Sequence, residues 1–240
     1  MPKRVYELMF NPGEVVEIRA IGGLKGRNKA WEGACFGAKG TVSGYFDNAE
    51  AFGASAKALD DAGAHGVYYT LNPCRPALIA RAYNRLKANI HTTTDGEIEL
   101  IRWLPIDLDP RRPTGISSSQ AELDAAVSTA KLVAEHLEGD LKWARGLRAF
   151  SGNGYHLMYR LPDYRNSEEY IQKIRDILAY LSGKFTSDRV IIDEVVHNPA
   201  RIWKCYGTHA RKGDSIPERP HRVSRILSKE QKLADVEVTE

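Results

Sequence analysis

The chain has 240 residues, enough to bury a core as one domain or two joined lobes, and its 42% hydrophobic and 27% charged content is ordinary for a globular protein. A net charge of +3 is too small to imply a nucleic-acid partner by itself, so the placement of charge has to carry that argument. The scattered cysteines Cys35, Cys74 and Cys205 argue against a disulfide framework or a cysteine-rich zinc site, and no run has signal-peptide or membrane-spanning character, so no membrane partner and a cytoplasmic location are expected.

In chain order, the alternation over Val15–Ala20 stops at Gly22-Gly23 and predicts a strand and turn. The basic, glycine-rich loop Gly22–Arg27 lacks P-loop spacing and is expected to be a solvated turn first and a phosphate contact second. Gly40–Phe46 predicts a second strand, Asp47 the N-cap of a helix over Ala49–Ala62, and Gly66–Leu71 a third strand closed by Asn72-Pro73. Alanine-rich Pro76–Ala88 predicts another helix. Residues 1–96 are thus expected to form an α/β lobe.

Beyond it the pattern becomes more regular. Ile98–Asp109 predicts a strand broken near Trp103, and Ser118 or Ser119 caps a helix to about His136 with Leu123, Ala126, Val127 and Ala130 on its apolar face. Leu147–Ser151 and Tyr155–Tyr159 predict strands joined through Gly152-Asn153-Gly154, a hairpin signal. Ser167 opens a helix carrying Tyr170, Ile174, Leu178 and Leu181 on one face, and Arg189–Asp193 is a last short strand. The order β-α-β-β-α-β is the split βαβ unit. The expected division is therefore 1–96 for the lobe, 97–225 for an RRM-like catalytic unit with a basic segment, and 226–240 for a polar tail or linker.

The chemistry concentrates in Leu104–Pro110. Asp107 and Asp109, two apart on a strand, share a face, while Ile106 and Leu108 point into the opposite, packed layer. Two carboxylates that close repel unless a cation lies between them, and hard oxygens suit magnesium or manganese. In a split βαβ sheet the first strand lies between the third and the fourth, so His156 and Asp193 should flank the acids. Carboxylates around hard cations suit two-metal phosphoryl or nucleotidyl transfer. Gly152 and Gly154 would let backbone amides approach phosphate oxygens, and Ser151 and His156 can each donate a hydrogen bond to them.

These residues resemble a known family. Pro105-Ile106-Asp107-Leu108-Asp109 looks like its first, DxD motif, Ser151-Gly152-Asn153-Gly154-Tyr155-His156 like its second, in SGxGxH form, and Ile191-Ile192-Asp193 like its third. Residues 200–213 are similar to the basic segment that follows. The family is the archaeo-eukaryotic primase superfamily, specifically the primase-polymerase domains of plasmids, phages and bacterial mobile or defence systems. The likeness covers roughly residues 66–220, and residues 1–65 carry no motif.

The resemblance implies an α+β fold in which a split βαβ (RRM/ferredoxin-like) catalytic unit is packed with the N-terminal α/β lobe. It implies template-directed primer synthesis and extension on single-stranded DNA from dNTP, NTP or both, by a DNA-directed nucleotidyltransferase. Asp107, Asp109 and Asp193 would be catalytic and hold two divalent ions, Mn2+ or Mg2+. Ser151, Gly152, Gly154 and His156 would bind the nucleotide. Arg201, Lys204 and Lys212 join the nucleotide-binding set from the basic run, Arg211 and Lys212 the DNA-binding set, and Asn72 is placed near a nucleotide sugar by its position at a strand end. Arg219, Arg222 and Arg225 fit a solvated loop as well as a phosphate contact. Trp203 is expected in the core, and Tyr206 there or stacked on a base. A helicase or other module in a longer protein is the implied partner, and a monomer the default.

Two rival readings differ in kind. Another two-metal phosphoryl-transfer enzyme, a nuclease or a nucleotide cyclase, also uses paired carboxylates, but a nuclease has less need of a triphosphate cradle. A non-catalytic RNA-binding module would place aromatics on its central strands; here those positions hold Asp107, Asp109 and His156.

Overall fold

The computed structural model describes residues 1–36, 40–227, 234–236 and 238. In chain order its elements begin with helix α1 (Pro2–Met9) and strands β1 (Val16–Ile21), β2 (Gly26–Asn28), β3 (Trp31–Cys35) and β4 (Thr41–Phe46). Helix α2 (Ala49–Asp61), β5 (Gly66–Thr70), β6 (Lys87–Ala88) and β7 (Leu100–Pro110) follow. Then come α3 (Gln120–Ala134), β8 (Leu147–Phe150), β9 (Tyr155–Arg165), α4 (Glu168–Phe185) and β10 (Val190–Ile192). The short strands β11 (Ile202–Lys204), β12 (His209–Ala210), β13 (Arg222–Val223) and β14 (Arg225–Ile226) close the order. The fold is α+β, as expected, and among the described residues no helix is long and apolar enough to cross a membrane.

Contacts group the chain into two compact units, Met1–Glu99 with Ala200–Arg211, and Leu100–Pro199 with Lys212–Glu240. Segment 200–211, which the sequence pattern assigned to the stretch 97–225, groups with the first unit because β11 pairs antiparallel with β5 there.

The first unit is built on the sheet β11-β5-β1-β4-β6-β3-β2. Helix α1, unforeseen from sequence, starts with Pro2 in its first turn and buries Val5, Tyr6 and Met9. The Tyr6 ring lies against Phe10 and Phe52, and Phe52 meets Tyr69 edge-on, so an aromatic cluster fixes α1 and α2 on the sheet. The N-cap of α2 is Asn48, whose side chain accepts from the Ala51 N–H at 2.9 Å, rather than the expected Asp47. Asp47 accepts instead from the Asn48 and Asn84 side-chain amides.

The helix expected over 76–88 does not form; only the 3-10 turn Pro76–Arg81 does. Ala82 is extended, its carbonyl accepts from Tyr45 N–H, and Asn84, with φ +47°, returns its N–H to the Tyr45 carbonyl. Pairing to β4 outcompetes alanine's helix propensity, which is a weak preference. Arg81 then binds Glu97 and the Tyr45 hydroxyl. That pairing, Arg81 first, holds the Glu97 carboxyl down at about 2.

The second unit carries the sheet β10-β7-β9-β8-β14. Its first four members stand in the order expected of a β-α-β-β-α-β unit, with β10 antiparallel to β7 and β9 antiparallel to both β7 and β8. The break expected near Trp103 is present as a register shift between Ile101 and Trp103. Leu104, Ile106 and Leu108 are fully buried in the layer covered by α3 and α4. Ser119 and Glu122 form a reciprocal capping box that starts α3, which ends in the π-helical turn Glu135–Asp140. In the expected tail, Val236 and Val238 are buried and the Val236 N–H donates to the Arg160 carbonyl at 2.7 Å, while 228–233, 237, 239 and 240 lie outside the described residues.

Candidate active site

The central strand β7 sets the site. Asp107 is registered with His156 on β9, and on its other side Asp193 donates its N–H to the Asp107 carbonyl at 3.0 Å. Asp193, Asp107 and His156 therefore form one cross-strand row, with Asp109 two residues along β7 on the same face. His156 is buried, and its Nε2 stands 3.4 Å from Asp107 Oδ1. That oxygen is itself buried and meets no donor in hydrogen-bonding geometry among the described residues. A buried carboxylate oxygen left without a donor is costly, and a cation is its natural complement.

Asp109 is more open, with 43% of its side chain exposed, and Arg112 Nη1 lies 3.6 Å from its Oδ1. Arg112 was not singled out in the sequence; its side chain is largely covered and is fixed by donating to the Pro110 carbonyl at 3.0 Å and the Ile116 carbonyl at 3.2 Å. Desolvation raises the Asp109 pKa, the Asp107 charge adds to it, and the charges of Arg112, Lys212 and His156 oppose them. The net direction is upward, as for two like charges that share a site.

Asp193 is committed differently. Its Oδ1 accepts from the Val195 N–H at 2.8 Å and caps the 3-10 turn Glu194–His197. The strand register thus brings the three carboxylates to neighbouring positions, but among the described residues no three ligating side chains are gathered into a ready-made ion site. The residues fit a hard divalent cation by donor chemistry and by the unmatched Asp107 Oδ1.

The loop 151–154 is shaped from within. Ser151 Oγ accepts from the N–H groups of Asn153 at 3.3 Å and Gly154 at 2.8 Å, which leaves its own hydrogen free to donate. Gly152 sits at φ +104°, and a Cβ on Gly154 would lie 2.6 Å from the Leu108 carbonyl oxygen and 2.8 Å from Asp109 Oδ1. Glycine at 154 is therefore a condition of the loop's approach to the acids. Asn153, also not singled out, clamps the loop to the start of α3: its Oδ1 accepts from Ser118 N–H at 2.9 Å, and Ser118 Oγ donates to its carbonyl at 2.6 Å. The signal for it was present, an Asn between two glycines opposite a serine pair, but only the fold joins them.

Of the basic segment, Lys212 lies in this unit, with its carbonyl accepting from Ser117 Oγ at 3.1 Å and its charge acting on Asp109. Arg219 pairs with Glu122 at 2.7 Å, and Arg222 donates to the Ser118 carbonyl at 2.6 Å. Both hold the 117–122 segment rather than a solvated loop.

Asn72, Arg201, Lys204 and Arg211 belong to the first unit. Asn72 is buried just beyond β5, and the Arg201 carbonyl accepts from Leu71 N–H at 2.9 Å. Lys204 is buried, and its ammonium donates to Thr208 Oγ1, the His209 carbonyl and the Val67 carbonyl at 2.8, 2.6 and 3.5 Å. Desolvation lowers its pKa to about 8. Its three donors are taken inside the unit, which leaves none for a phosphate. Arg211 likewise binds Asp60 and the Ala64 carbonyl, each at 2.7 Å. Trp203 is in the core as expected, donating to the Tyr206 hydroxyl at 2.8 Å; Tyr206 is fully buried too and cannot stack on a base.

No protein-family model and no curated protein matches the sequence. Among solved structures, the AEP domain of the primase-polymerase of cyanophage S-2L superposes with a TM-score of 0.53 at 14% identity, over 97% of this chain and 90% of that one. The fold is that of a primase-polymerase domain. Primase RepB' gives a TM-score of 0.46 at 11% identity over 98% of this chain and 58% of its own length. The polymerase domain of Mycobacterium tuberculosis ligase D, in complex with DNA, gives 0.48 at 16% identity, over 92% of this chain and 78% of that one. The split βαβ sheet of the second unit belongs to that shared fold.

Proposed function

We propose that the chain is a DNA primase-polymerase that joins nucleotides on a single-stranded DNA template in a metal-dependent nucleotidyl transfer. The observation that carries the reading is the buried Asp107 Oδ1, without a hydrogen-bond donor among the described residues, set beside Asp109 on the central strand and opposite His156. Asp107 and Asp109 would hold divalent ions, Mn2+ or Mg2+, and Asp193, whose Oδ1 accepts from the Val195 N–H, would complete the set with its remaining lone pairs. Such ions lower the pKa of an attacking hydroxyl and stabilise a departing pyrophosphate.

The chain's own residues have defined tasks in this account. The buried His156 ring, held against Asp107, donates a hydrogen bond to a phosphate oxygen and orients the triphosphate. Ser151 offers its free hydroxyl hydrogen. Gly152 and Gly154 keep the loop clear of side chains, so that a nucleotide can approach its backbone. Lys212, near Asp109, adds positive charge for the nucleotide and the template. Deoxyribonucleoside and ribonucleoside triphosphates both fit these contacts.

Crystals soaked with Mn2+ and a non-hydrolysable dNTP analogue test the placement. Density for metal at Asp107 and Asp109, with phosphates at His156 and Ser151, is the expected result. Metal and triphosphate bound elsewhere would overturn the site.

A further inference from the structure

On the face of the second unit's sheet away from the acids lies a cleft of about 430 Å3. Its floor is the registered pair Phe150 and Tyr155, the residues that flank the 151–154 loop. Tyr155 is registered in turn with Leu108, whose side chain is in the helix-covered layer, so this floor and the Asp107/His156 row occupy opposite faces.

The walls differ in character. On the α3 side, Val127 is apolar, while Gln120 and Asp124, one turn apart, are joined by a 2.8 Å hydrogen bond from Gln120 Nε2 to Asp124 Oδ1. Across from them, the Arg225 guanidinium sits 5.3 Å from the centre of the Phe150 ring, and Arg222 is held by the Ser118 and Pro220 carbonyls. Arg222 and Arg225 line the cleft with a single carboxylate, Asp124, so its charge is net positive and favours an anion. The volume falls within the roughly 300–1,000 Å3 usual for small-ligand sites. Aromatic rings stack on nucleobases whatever their identity, and a guanidinium matches phosphate oxygens in a fork. An amide–carboxylate pair presents donors and acceptors to a base edge.

We propose that this cleft binds an aromatic base carrying a phosphate, either a free nucleotide or the terminal residue of a nucleic-acid strand. The base lies against Phe150 and Tyr155, its edge faces Gln120 and Asp124, and the phosphate meets Arg225. The site is separate from the acid row and needs no metal.

The test uses the full chain carrying Asp107→Ala and Asp109→Ala, in EDTA, so that the acid row cannot contribute. Calorimetry with dAMP and with a 5′-phosphorylated thymidine trinucleotide should show binding as tight as to the unaltered protein. Arg225→Glu, at an exposed strand edge, and Val127→Trp, which fills the cleft, should each weaken it about tenfold or more. Ribose 5-phosphate should bind more weakly than dAMP. Preference for dAMP identifies a free nucleotide as the ligand; preference for the trinucleotide identifies a strand end. The proposal is overturned if neither probe binds in EDTA, or if the acid substitutions abolish binding. It is equally overturned if both cleft substitutions leave affinity unchanged, or if ribose 5-phosphate binds as tightly as dAMP.

Discussion

Asp107 and His156 face one another across two antiparallel strands, with Nε2 3.4 Å from Oδ1, and among the described residues the carboxylate oxygen between them meets no donor in hydrogen-bonding geometry. The arrangement is uncomfortable without a cation and suited to one. Asp107→Asn should therefore raise stability, by about 1 kcal/mol, because it removes one of two like charges that repel on the same strand face. The same change should abolish Mn2+ binding. Thermal unfolding and calorimetric Mn2+ titration of the two proteins check both halves of this expectation.

Gly154 tests how closely the loop must approach. Gly154→Ala puts a Cβ 2.6 Å from the Leu108 carbonyl oxygen and 2.8 Å from Asp109 Oδ1, so loop and acid must move apart. A cost of about 1–3 kcal/mol in stability is expected. Gly96→Ala, where a Cβ meets nothing within 4 Å, serves as the control and should change little. Chemical denaturation of both variants reads the difference.

Asp109 sets a pH dependence. Burial and the Asp107 charge raise its pKa above the ordinary 3.8, so over the window between the two values the native state holds a proton the unfolded state has lost. This contribution to stability is present below the unfolded value and is lost as pH rises through the folded one. Metal binding runs the other way, needing the ionised carboxylate, and should weaken on acidification at a pH above the ordinary aspartate range. Carboxyl NMR titration of Asp109, repeated with Asp107→Asn, should show the midpoint fall when the neighbouring charge is removed.

The split βαβ unit was legible because its signals are local. Alternating runs, a Gly-Asn-Gly hairpin and the Ser119/Glu122 cap each act within a few residues, and together they gave the strand order and the Asp193–Asp107–His156 row. Positions decided by tertiary contacts were not legible. The 76–88 stretch lost its helix to pairing with Tyr45, and Lys204 and Arg211, exposed cations by composition, turned inward to carbonyls, Thr208 and Asp60. Asp193 shows both sides: its strand position followed from sequence, but its carboxylate caps a turn that only the folded chain makes.

Asp60 ties α2 to the 209–211 segment within the first unit, accepting from His209 N–H, His209 Nδ1 and Arg211 at 2.7–2.9 Å. Burial works to raise its pKa, but the hydrogen bonds from His209 and Arg211 prevail and hold it below 3.8. Its stabilising share is present above the unfolded carboxyl pKa and fades as pH falls through the lowered value. Asp60→Ala leaves a guanidinium unmatched and should cost about 3 kcal/mol. Urea unfolding at neutral pH measures it.

The most direct measurement is primer synthesis on single-stranded DNA with Mn2+ and a mixture of dNTPs and NTPs, comparing the unaltered chain with the variant carrying both Asp107→Ala and Asp109→Ala. The account predicts template-dependent products of increasing length from the first protein and none from the second, with both folded by circular dichroism. Products of equal length and yield from both proteins, or nucleotide-independent cleavage of the DNA in place of synthesis, would contradict it.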